Sequence, residues 1–144
     1  MLLQTVFNMD QATFSNHIYQ YLLENHPLFL ENIKYHDDQS FDCSLTSPTG
    51  KFSVWIATYD KEITIGMDDP EQTSGTHTHL SFYGEEIDEQ TQALTEYLQD
   101  IFTNKLVFTH SSLEGYSWSK DIVSTLLEKE SDEAIEYFTW TGEC

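Results

Sequence analysis

Apolar residues recur first at helical spacing. Phe14, Ile18, Tyr21 and Leu22 form one stripe with His17 beside it, and Asp10 supplies a carboxylate suited to the helix N-cap. Asn25-His26-Pro27 should end this helix, because proline disfavours helical geometry in the residue before it. The period then drops to two. Phe41, Cys43 and Leu45 alternate with polar residues, Ser47-Pro48-Thr49-Gly50 supplies turn chemistry, and Phe52, Val54 and Ile56 alternate again, which predicts a β-hairpin. After a reversal at Asp60-Lys61, Ile63, Ile65 and Met67 mark a third strand. The stretch from Asp68 to Thr76, with Pro70 and Gly75, is predicted to be an exposed loop. A fourth strand is predicted from Thr76 to Tyr83, with Thr78, Leu80 and Phe82 on one face and His77, His79 and Ser81 on the other. Helical spacing returns after Gly84 in Ile87, Thr91, Leu94, Leu98 and Ile101, with Lys105 closing the helix. Leu106-Val107-Phe108 and Tyr116-Ser117-Trp118 read as strands about a turn at Ser111 to Gly115. A short helix follows within Lys120 to Lys129, and Ile135 to Trp140 reads as a closing strand.

This pattern predicts one α+β domain over residues 1–144: an N-terminal helix, an antiparallel β-meander of about four strands plus C-terminal strands, and helices packed on one face. With 39% hydrophobic residues, 144 residues suffice for a core that needs no disulfide framework. Cys43 lies in an alternating stretch and reads as a small buried side chain, while Cys144 is far from it in sequence, so a reduced, cytoplasmic chain is the simpler reading. The first ten residues carry no basic segment or small-residue cleavage site, and no apolar run is long enough to span a bilayer.

Charge narrows the classes of function. The chain has 25 acidic residues against 6 lysines and no arginine, for a net charge of −19. A nucleic-acid binder needs a basic face to displace phosphate counterions, and an anionic membrane repels such a chain, so neither is an expected partner. Spread evenly over about 7,600 Å² of folded surface, these charges would lie roughly 20 Å apart, beyond the ~8 Å screening length. Steering a cationic partner therefore requires clusters. Three occur: Asp68, Asp69 and Glu71; Glu85, Glu86, Asp88 and Glu89; and Glu128, Glu130, Asp132, Glu133 and Glu136. Each also has a plain structural use as a solvated loop or helix end. Trp55, Tyr59, Tyr83, Tyr116, Trp118 and Trp140 are candidate interface aromatics, or else pack across a sheet.

Catalytic arrangements are sparse. His77 and His79 share one side of a predicted strand, and His110 or a loop aspartate would complete a metal site, but such histidines also serve as half-buried sheet residues bonded to neighbours. No serine stands in a nucleophile elbow, and Gly66, Gly75 and Gly84 lack phosphate-loop spacing. No cofactor is implied.

Ile63-Thr64-Ile65-Gly66-Met67-Asp68-Asp69, followed after a loop by His77-Thr78-His79-Leu80-Ser81-Phe82, resembles a motif of small bacterial immunity proteins from polymorphic toxin systems, in which a strand of the type ITVGFD leads into HTHF. Tyr137-Phe138-Thr139-Trp140-Thr141-Gly142 is similar to their SWSG ending, so the likeness covers most of the chain from Phe41 onward. Two departures are the loop separating Asp69 from His77 and Leu80 in place of phenylalanine. The resemblance implies a cytoplasmic inhibitor that occludes a cognate toxin domain without catalysis; the acidity of the chain suits a basic toxin, and the oligomeric state stays open, with a monomer favoured. The expected contact surface is Asp68, Asp69 and Glu71 with Glu85, Glu86 and Asp88, and Tyr83 as an aromatic anchor. Two alternatives stay open: a metal-dependent enzyme using the His-Thr-His site, and another acidic interaction module such as a nucleic-acid mimic.

Overall fold

A computed structural model describes residues 9–142. The fold is α+β: helix α1 (Gln11–Asn25) leads into five strands, β1 (Lys34–Tyr35), β2 (Phe41–Thr46), β3 (Ser53–Ala57), β4 (Thr64–Asp68) and β5 (Gly75–His79). Helix α2 (Ile87–Phe102), strands β6 (Val107–Ser111) and β7 (Gly115–Ser119), helix α3 (Ile122–Leu127) and strand β8 (Ile135–Phe138) complete the described chain. The first five strands form an antiparallel sheet in the order β1-β2-β3-β4-β5. The other three form a second antiparallel sheet in the order β7-β6-β8. No helix of the described residues is long and apolar enough to cross a membrane.

The contacts group these residues into two compact units. One holds the chain up to Leu45 with Val54–Gly66 and His77–Glu96; the other holds Thr46–Ser53, Met67–Thr76 and the chain from Tyr97.

In the first unit, the Asp10 side chain accepts the Thr13 amide at 2.7 Å and starts α1, whose Phe14, Ile18 and Leu22 are fully buried. The helix stops where the His26 amide donates to Leu22, and Pro27 opens a 3-10 helical segment, Pro27–Asn32, that buries Phe29. Neither that segment nor the two-residue β1 carries a period the sequence could reveal. Phe41, Val54, Ile56, Ile63, Ile65, Leu80 and Leu94 extend the core. Gln90, also fully buried, accepts the Ile63 amide at 2.8 Å, which occupies a backbone donor at the entrance to β4.

The predicted fourth strand is too long. Pairing stops at His79, and Leu80–Tyr83 winds into a 3-10 helical turn. The Leu80 amide still reaches Ile63 at 2.8 Å, so Leu80 is buried as alternation requires, but Phe82 turns outward to 83% exposure.

In the second unit, Phe52, Met67, Leu98, Ile101 and Phe108 are fully buried. Trp140 lies beyond the closing strand and packs on Phe102 and Phe52, with ring centroids 4.9 and 5.8 Å apart, so it serves the core there. After α2, Asn104 takes a left-handed conformation (φ 66°), and the Lys105 and Leu106 amides both turn back to Asp100, ending the helix.

Candidate functional site

The glycine of the ITIGMD segment has a steric role. A Cβ on Gly66 would lie 2.4 Å from two carbons of the Trp55 indole, so β4 is glycine there to let the ring of β3 lie across it. The same indole meets His77 on β5 (centroids 5.9 Å), and His77 meets His79 edge-on at 5.3 Å. His79 is held from below: its Nδ1 sits 2.9 Å from Glu62 and 2.9 Å from the Thr64 hydroxyl. Glu62 in turn accepts the Ser81 hydroxyl at 2.8 Å. That hydroxyl donates to the carboxylate and not to the imidazole, so the order of a nucleophilic triad is not the one built here.

Next along the same unit comes the predicted aromatic anchor with its acids. Tyr83 is 54% exposed, and Glu85, Asp88 and Glu89 are exposed. Glu86 is half-buried, and its Oε2 reaches no hydrogen-bond partner among the described residues. Glu89 is partly engaged in the fold, since its carboxylate packs against Gly84 and lies 3.4 Å from the Glu86 amide. Placed before and within the first turn of α2, these charges sit at the positive end of the helix dipole, which favours them.

The predicted exposed loop narrows to residues 69–74, between the ends of β4 at Asp68 and β5 at Gly75, with 70–74 exposed, and it belongs to the second unit. Asp69 is only 8% exposed. Its two carboxylate oxygens accept the Thr73 amide and hydroxyl, each at 2.9 Å, and its own amide donates to Ser74. The Thr73 amide above all, with burial opposing it, holds the Asp69 carboxyl below the ordinary aspartate value. Glu71 is exposed. Asp69, Glu136 and Glu71 place negative charge around Tyr116, whose phenol is pushed up first by desolvation and then by those three acids. Of the third acidic cluster, Glu136 joins this field, but Glu133 is turned inward at 8% exposure, accepting the Ser111 hydroxyl and the Glu130 amide.

The seven predicted contact residues therefore form two sets. Asp68, at the end of β4, and Asp69 and Glu71 in the turn after it belong to the second unit, while Tyr83, Glu85, Glu86 and Asp88 share one corner of the first. Three histidines find carboxylates, His79 beside Glu62, His110 beside Glu136 at 3.6 Å and His36 beside Asp42 at 3.2 Å, while His77 meets the Trp55 and His79 rings. Among the described residues no three His, Cys, Asp or Glu side chains are grouped to hold a metal ion. Cys144 lies outside the described residues, and Cys43 is a buried free thiol pushed up to about 12 by desolvation, ill-suited to nucleophilic work.

Phe82 is the residue that sequence reasoning misplaced. Alternation carried no signal for it, because Phe82 lies past the last strand residue, His79, in the 3-10 turn Leu80–Tyr83. The chain matches no protein-family model, no curated protein and no solved structure.

Proposed function

We propose that the protein is an immunity-type inhibitor that binds a basic toxin domain and occludes it without catalysis. The observation that carries this reading is the corner after β5, where exposed Tyr83 is followed within five residues by exposed Glu85 and Asp88 on a chain of net charge −19. An aromatic side chain ringed by acids is the anchor-and-rim composition of protein interfaces, and its sign suits a cationic partner. Steering by such a patch raises the association rate and sets register, which an inhibitor that must act before its target needs. The resemblance of the ITIGMD and HTHLSF segments to immunity proteins supports the same reading.

The test is co-expression with the basic domain encoded beside this chain. That domain should arrest growth when expressed alone and be neutralised by the chain. In purified form, the pair should associate more slowly as salt rises. Reversing Glu85 and Asp88 to lysine should slow association by about tenfold or more, with dissociation little changed. A harmless neighbour, or an association rate indifferent to salt and to the reversal, would sink the reading. Capture of several nucleic-acid-binding proteins in competition with DNA would favour the nucleic-acid mimic instead.

A further inference from the structure

Phe82 is the most exposed large apolar side chain among the described residues, and the turn that carries it is held on both sides of the ring. Leu80 is fully buried, with its amide on Ile63, and the Ser81 hydroxyl is on Glu62. The Gly84 amide closes the turn on Ser81 at 3.2 Å. Gly84 itself has φ +145°, a conformation that side-chain-bearing residues rarely adopt, and a Cβ there would lie 2.4 Å from the Glu89 carboxyl. Phe82 is thus presented by a built turn.

We infer that Phe82 is the central anchor of a docking surface for a basic protein, inserting into an apolar recess that the partner frames with lysine or arginine. The inference deepens the reading above and rests on it only for the sign of the partner's charge. Charge decides the occupant. Exposed Glu85, Asp88 and Glu89 follow Phe82 and Tyr83 within one corner of the chain, so the apolar anchor carries an acidic rim. A second copy docked isologously would bring like-charged rims together. An anionic membrane would be repelled by the same acids. A basic protein surface satisfies both ring and rim. Because the turn is already fixed, little ordering opposes binding, the condition under which one buried aromatic dominates an interface.

The test places the photocrosslinking residue p-benzoylphenylalanine at position 82, and separately at exposed Gln20 on α1, in cells that carry the native gene neighbourhood. Light should yield one dominant adduct through position 82, with a protein of pI about 9 or higher, and none through position 20. With that protein purified, Phe82→Ala should weaken the complex by about 30-fold or more. Its melting temperature should match the unmodified chain, since the ring is 83% exposed. If the adduct protein proves harmless to cells, the toxin reading falls and the docking surface stands. If Phe82→Ala still neutralises the toxin and binds it within about threefold of the unmodified chain, the docking surface falls and the toxin reading stands. An adduct with a second copy or an acidic protein, or no adduct at position 82, also overturns the inference.

Discussion

Gly66→Ala should destabilise the protein through one identifiable collision, with Trp55. The new methyl would stand 2.4 Å from Cε2 and Cζ2 and 2.6 Å from Nε1 of the indole, well inside van der Waals contact. Gly66 is buried and Trp55 half-buried, so the ring can yield only by giving up its seat on β4 and its contact with His77. Overpacking of this kind costs about 1–3 kcal/mol, while replacing glycine by alanine in an extended segment returns about 0.5–1 kcal/mol of backbone entropy. The net expectation is a loss of about 1–2 kcal/mol, or a melting temperature lower by about 3–8 °C for a chain of this size. Urea titration followed by far-UV circular dichroism measures the loss, and a double-mutant cycle with Trp55→Ala assigns it. Without the indole, Gly66→Ala should become neutral or stabilising, because only the entropy gain remains. An equal loss in both backgrounds would show that the methyl collides with something else, and the steric account of this glycine would be wrong.

Asp69→Ala should lower the melting temperature at pH 7, because the Thr73 amide and hydroxyl lose their acceptor. The folded carboxyl titrates below its ordinary value near 3.8, so its contribution is full above that value and fades as pH falls through the lower folded value. Melting curves of the two proteins should therefore converge on acidification from pH 5 towards pH 2, and a gap that stays constant would refute the assignment. Cys43, with its thiol pushed up to about 12, should resist a thiol reagent at pH 8 in the folded protein and react promptly in urea. A Cys144→Ser background makes Cys43 the sole reporter, and fast labelling of the folded chain would contradict its burial.

Where an element carried its own period and its own ends, the sequence revealed it. α1 had a four-residue apolar stripe between a capping aspartate and a proline, and α2 had its stripe with acids first, so both were legible. The hairpin of β2 and β3 was legible because alternation met Ser47 to Gly50, where the Gly50 amide turns back to Ser47 and φ is +72°. The end of β5 was not. Alternation tells which side a residue faces but not where strand pairing stops, and here the stop depends on Ser81 reaching Glu62, nineteen residues back. Gly66 was equally opaque, because the partner that demands a glycine sits on the neighbouring strand.

The acids show the same division in the site itself. A sequence counts carboxylates but not what they are bonded to, and two acids from different clusters turned out to face inward. Asp69 holds its turn through Thr73, a role foreshadowed by the Asp-Pro step that begins it, and Glu133 holds Ser111 and the Glu130 amide. Glu71, Glu85 and Asp88 remain exposed. Burial does not remove a charge from the protein's long-range field, so all of them contribute to steering, but only the exposed ones can meet a partner's cation at contact distance. Substitution therefore separates two roles that composition merges. Changing Asp69 acts first on the fold, while changing Glu85 or Asp88 acts first on the rate of encounter, at a corner whose apolar centre, Phe82, contributes nothing to net charge at all.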